Sequence, residues 1–120
     1  AIPALGSVVT TGTGGSGYRV VRIRTGSPGS GVSRMVFDLE GPGSAPDAQL
    51  GRAADGSLYL QAAGISIDPV TTSGFTGVGP ITGISPTGGP GASLKLATTG
   101  SPQYSMYYLS SPARLVIDFR

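Results

Sequence analysis

Two stretches of the chain carry residues suited to chemistry, and they echo each other: "SRMVFDLEG" from Ser33 to Gly41 and "SPARLVIDF" from Ser111 to Phe119. Each contains Arg, an apolar residue, Val, an apolar residue and Asp, giving Arg34 with Asp38 and Arg114 with Asp118. An arginine beside a carboxylate can serve an acid–base device, form half of a binding site, or knit strands of a scaffold. Along an extended strand, positions i and i+4 share a face but lie roughly 13 Å apart. The Arg and Asp of one stretch therefore cannot pair with each other. They can pair across neighbouring strands, where opposed side chains approach to about 5 Å. An exposed pair of that kind is worth about 0–1 kcal/mol.

The remaining candidates are fewer. Glycoside hydrolysis needs two carboxyl groups about 5–9.5 Å apart across a cleft. The six acids are scattered over strands and turns, and Asp47, Asp55 and Asp68 stand in turn-like contexts where local hydrogen bonding explains them. "GTGGSG" from Gly12 to Gly17 matches G-x-G-x-x-G, but a strand follows it where dinucleotide binding needs a helix. It reads as a loop. "QYSMYYL" gathers Tyr104, Tyr107 and Tyr108, whose rings suit core packing or stacking on sugar rings. Alternation puts Tyr107 on one face and Tyr104, Met106 and Tyr108 on the other.

The chain has no His, Cys or Trp. That removes the usual catalytic zinc sites, the His- and Cys-based nucleophile systems and any disulfide framework. No metal and no cofactor is expected. Net charge is +2, too mild to predict nucleic-acid binding, and seven of the eight bases are Arg. No apolar run approaches the roughly 18 residues of a membrane span. Ala1 opens in mature-looking sequence, so a domain excised or processed from a longer protein is expected.

The elements that position these residues read as strands. Gly and Pro make up 31 of 120 residues, clustered between short apolar runs as turns. Period-two alternation recurs at Arg19 to Arg24, Ser33 to Glu40, Ser57 to Gln61, Ser93 to Thr98, Tyr104 to Leu109 and Arg114 to Arg120. In the first run it places Arg19, Val21 and Ile23 on one face and Val20, Arg22 and Arg24 on the other. "ADGS" from Ala54 to Ser57 is a hairpin turn. The fold expected is all-β, a sandwich of two small sheets built from an internal duplication of about four short strands each.

Two alignments of the halves compete. Pairing Ile23 with Ile84, Gly41 with Gly100, Leu50 with Met106 and Leu58 with Leu115 gives offsets of 61, 59, 56 and 57. The halves are then about 18–67 and 81–120, joined by "DPVTTSGFTGVGP" from Asp68 to Pro80. Residues 1–17 form a flexible segment or an edge strand. The alternative aligns "TGSP" at Thr25 to Pro28 with its copy at Thr99 to Pro102, which superposes the two Arg–Asp runs but needs a six-residue insertion. The first needs smaller length changes and is preferred.

The same residues resemble a family. "SRMVFDLEG", the closing "SPARLVIDF", and "ITGISPTGGPGASLKLA" as the start of a second half are similar to the AMIN domain or the related AMIN-like domain, over Tyr18 to Arg120. AMIN domains precede periplasmic N-acetylmuramoyl-L-alanine amidases and type IV pilus secretins. The resemblance implies a two-sheet, non-catalytic targeting module of the periplasm or cell envelope. It would bind peptidoglycan and localise an attached amidase or secretin, with envelope, septal or pilus proteins as further partners. The ligand-binding residues expected are Arg34, Arg114, Tyr107 and Tyr108, with Asp38 and Asp118 orienting the arginines. The alternative is a structural or protein–protein interaction domain that pairs through an exposed strand edge. A hydrolase is the third and weakest reading.

Overall fold

The computed structural model describes residues 6–12, 17–41, 46–62, 64–67, 75, 77–87, 92–100, 102–109 and 112–120. Their apolar alternation has become ten strands and no helix. These are β1 (Gly6–Thr11), β2 (Tyr18–Gly29), β3 (Val32–Glu40), β4 (Ala48–Arg52), β5 (Leu58–Ala62), β6 (Ile65–Ser66), β7 (Ile81–Pro86), β8 (Ala92–Thr98), β9 (Tyr104–Leu109) and β10 (Arg114–Phe119). They form a sandwich of two five-stranded sheets. The first sheet runs β1-β4-β5-β8-β7 and the second β6-β2-β3-β10-β9. Residues 6–11 are an edge strand of the first sheet, paired with β4. Most of the segment joining the halves, and most of "GTGGSG", lie outside the described residues.

One core lies between the sheets. Met35, Phe37 and Leu39 of β3 and Leu115, Ile117 and Phe119 of β10 meet Leu58 and Leu60 of β5 and Leu94 and Leu96 of β8. All are alternate residues of their strands, so their neighbours must face outward. The β4–β5 turn closes as expected. Ala53 and Ser57 share a backbone hydrogen bond, Asp55 accepts from the Ser57 N–H, and Gly56 takes φ of 90°.

Strand pairing repeats across the halves in the preferred alignment. In the second sheet Ile23 faces Phe37, and Phe37 faces Leu115. In the first sheet Ile84 faces Leu96, and Leu96 faces Leu58. Likewise Met106 faces Ile117 as Leu50 faces Leu60. The order β2-β3-β10-β9 thus matches β7-β8-β5-β4, and the duplication exchanges the two sheets. The competing "TGSP" alignment would equate β3 with β10, neighbouring antiparallel strands of one sheet, and it leaves the matching strand order of the first sheet unexplained.

One irregularity is duplicated too. The register slips by one residue between Val20 and Arg22 in β2, and again between Ile81 and Gly83 in β7. Each is a β-bulge, with one extra residue opposite the partner strand. In β2 the extra residue, Val21, is exposed while Val20 is buried. The face assignment expected from strict alternation therefore needs correction. Arg19 faces outward together with Arg22 and Arg24, while Val20 and Ile23 face the core.

Candidate functional site: the outer face of the second sheet

The two echoing motifs are adjacent antiparallel strands. In register, Arg34 of β3 faces Asp118 of β10, and Asp38 of β3 faces Arg114 of β10. Each motif's arginine thus lies opposite the other's aspartate. Adding β2 and β9 gives three rows across the outer face. The first runs Arg34, Asp118, Ser105; the second Arg24, Val36, Val116, Tyr107; the third Arg22, Asp38, Arg114, Leu109.

The two equivalent crossings are used differently. Arg34 grips Asp118 bidentately, Nε donating to Oδ1 at 2.7 Å and Nη2 to Oδ2 at 3.1 Å. At the other crossing Arg114 turns away, and its Nε donates to the Pro112 carbonyl at 3.1 Å. Asp38 takes its partners from β2 instead. Arg24 donates Nε to Oδ2 at 2.7 Å and Nη2 to Oδ1 at 2.8 Å, and Arg22 donates Nε to Oδ2 at 2.9 Å. The β2 bulge makes this possible, because it brings Arg22 and Arg24 onto the same side as Asp38. Only the break in alternation at Val20–Val21 signalled these partners in the sequence. At the sheet's corner Arg19 pairs with Glu40 at 3.2 Å.

The electrostatics follow from that geometry. Burial pushes the Asp38 carboxyl up, but the hydrogen bonds and charges of Arg24 and Arg22 outweigh it and hold the group below its usual 3.8. The hydrogen bond that Arg24 donates to Asp38, followed by the charge of Asp38, raises the Arg24 guanidinium. Arg34 is raised chiefly by its hydrogen bond to Asp118, with a smaller contribution from Tyr107.

Val116 is 2 % exposed although it lies outside the core, at the centre of the outer face. It is the floor of an apolar strip from Val36 to Tyr107 flanked by charged rows. Asp38 and Asp118 are themselves mostly buried, at 9 % and 7 % exposed. They stand four strand residues apart in register, roughly 13 Å along the strand direction. That separation exceeds the roughly 5–9.5 Å over which two carboxylates cooperate in glycoside hydrolysis.

Five of the six candidate residues meet on this face: Arg34, Arg114, Asp38, Asp118 and Tyr107. Tyr108 lies on the opposite side of β9. Its ring meets that of Tyr18 edge-on, with centroids 6.2 Å apart, and the two hydroxyls lie 3.0 Å apart. The hydrogen bond to Tyr18 and then burial push its hydroxyl up to about 12. Tyr104 shares that side, with the Arg52 guanidinium stacked 5.5 Å from its ring centre. No family model, curated protein or solved structure matches the chain.

Proposed function

We propose that this domain is a non-catalytic module of the bacterial cell envelope that binds peptidoglycan through the outer face of its second sheet. There it would hold an attached amidase or pilus secretin in the periplasm. The observation that carries this reading is a contrast within the molecule. Six of the seven arginines (Arg19, Arg22, Arg24, Arg34, Arg114 and Arg120) belong to the outer face of one sheet or its border. The duplicated first sheet presents Ser93, Gln61 and Gln49, and Ser85, Lys95, Tyr59 and Gly51, at the matching rows. The matching rows of that first sheet carry no such arginine–aspartate lattice, and a charged face confined to one of two like sheets supports a role in recognition.

Each guanidinium has five N–H donors. Arg34 and Arg24 each direct two at a carboxylate, and Arg114 directs one at a carbonyl. The rest are available to the amides, hydroxyls and carboxylates of a glycan–peptide polymer. Asp38 and Asp118 fix the arginine planes, and the half-buried Val36 and Tyr107, either side of the covered Val116, offer apolar and aromatic edges to sugar rings. The resemblance of the β3 and β10 motifs to the AMIN pattern supports the same polymer.

Co-sedimentation with purified sacculi tests the reading. Wild type and Lys95→Ala, on the opposite face, are expected in the pellet. Arg34→Ala/Arg114→Ala is expected in the supernatant. Wild type remaining in the supernatant sinks the proposal, and equal retention of the double variant removes this face as the site. In that second case a strand-edge contact, as at β9, becomes the better explanation.

A further inference from the structure

The first row of the charged face ends in a hollow. Gln103, Tyr104, Ser105, Asp118 and Arg120 line a cavity of about 300 Å³, at the small end of the roughly 300–1,000 Å³ usual for ligand pockets. Reciprocal backbone hydrogen bonds between Gln103 and Arg120, both 2.9 Å, hold its rim. These bonds extend the β9–β10 ladder by one step, so the wall is built on rigid backbone.

Its polar groups are of two kinds. Among the described residues the Arg120 side chain has no hydrogen-bond or ion-pair partner, so its guanidinium keeps all five donors. Asp118 offers the opposite chemistry. Both oxygens accept from Arg34, which fixes the carboxylate plane and leaves about half of its roughly four acceptor positions open. Asp118 and Arg120 are i and i+2 on the outward face, about 7 Å apart at Cα. One small ligand can bridge that span when each charged end makes a hydrogen bond of about 3 Å. A phosphate or sulfate would meet Asp118 as a like charge, and a plain ammonium would meet two arginines. A group carrying both charges satisfies each wall.

We infer that this hollow is a subsite for a zwitterionic α-amino-acid end group, its carboxylate on Arg120 and its ammonium on Asp118, with Arg34 positioning Asp118 and the Ser105 hydroxyl and Gln103 amide as further hydrogen-bonding groups. The inference rests on the proposed peptidoglycan reading. It specifies that the end face of the sheet takes a free amino-acid terminus on a peptide arm, while the central strip takes sugar.

Amide NMR titration of the ¹⁵N-labelled chain tests this, with alanine, acetate and methylammonium as separate probes. Alanine is expected to move the Gln103, Ser105 and Arg120 amides saturably. Acetate should need roughly tenfold more, the loss of one charge-assisted contact, and methylammonium should leave them unmoved. Arg120→Gln, an exposed change that spares the fold, should weaken the alanine response about tenfold. Equal responses to the three probes, or an unchanged response in Arg120→Gln, overturn the inference. If sacculi retain the chain but alanine moves none of these amides, the subsite is wrong and the polymer-binding reading stands. If alanine binds as described but sacculi leave the chain in solution, the subsite stands and that reading falls.

Discussion

The two sheets share one plan and differ in what they show to solvent. Inside, the matching positions stay apolar: Phe37 and Leu96, Met35 and Leu94, Ile117 and Leu60. Outside, Arg34, Asp118 and Ser105 stand where the other sheet has Ser93, Gln61 and Gln49, and Arg24, Val36, Val116 and Tyr107 where it has Ser85, Lys95, Tyr59 and Gly51. The inner faces are constrained by a shared core, because each must fill the volume the other leaves. The outer faces have no such mutual constraint. One of them carries a charged lattice that the other lacks, so the two outer faces differ where the two inner faces agree.

The largest expected effects test the shared interior. Phe37→Ala and Leu96→Ala, at matching buried positions in opposite sheets, are each expected to cost about 2–5 kcal/mol in urea unfolding. A small effect at one position alone would break the equivalence of the halves.

Next come the matching glycines, which are needed for different reasons. A Cβ on Gly41 would overlap the Tyr18 ring. Gly41→Ala should therefore cost about 1–3 kcal/mol through overpacking. Gly100 has open space around it but takes φ of 69°, so Gly100→Ala should cost about 1 kcal/mol through backbone strain. Relief of the Gly41 defect by Tyr18→Ala, and none of the Gly100 defect, would sharpen the distinction.

The charged face should then reveal itself by pH. The Asp38 carboxyl titrates below its usual 3.8 in the folded chain, so the unfolded chain takes up its proton first as pH falls. The stabilisation is complete above that value and is lost as pH drops through the lower folded value. Asp38→Asn should cost about 1 kcal/mol at pH 7, a modest figure because Arg22 and Arg24 are well exposed. The variant and wild type should converge in acid. Parallel stability curves for the two down to pH 2 would contradict the paired geometry.

The smallest effect concerns the tyrosine that faces inward. With its hydroxyl raised from 10.0 to about 12, Tyr108 contributes stability that is complete below pH 10 and lost as pH rises toward 12. Tyr108→Phe should cost about 1 kcal/mol near neutrality and flatten that alkaline decline. Sacculus retention should be unchanged, whereas Tyr107→Ala should weaken it.

Much of the architecture was legible because a half-buried strand reports its faces through alternation. The Met35–Phe37–Leu39 and Leu115–Ile117–Phe119 stripes, the Gly56 turn and the 56–61-residue offsets all follow from local pattern. The site was legible in part. Arg34, Asp38, Arg114 and Asp118 were visible as a repeated spacing, but their partners depended on register, which a strand does not carry within itself. Arg22 and Arg24 were hidden by the bulge, since one extra residue inverts every later side chain. Tyr108 could not be separated from Tyr107 by residue type, and their faces were assigned by which of them reached the interior.

The sequence by itself determined an all-β chain with two copies of a four-strand pattern and two arginine–aspartate strands unable to pair internally. Those properties depend on residue spacing and the 3.3 Å rise of a strand. Only the tertiary structure decided that the two strands lie side by side and antiparallel, that Arg34 closes on Asp118 while Asp38 takes Arg22 and Arg24, and that Arg120 is left open beside a hollow. Those outcomes depend on sheet order, and sheet order is fixed by how two apolar faces bury one another across the sandwich.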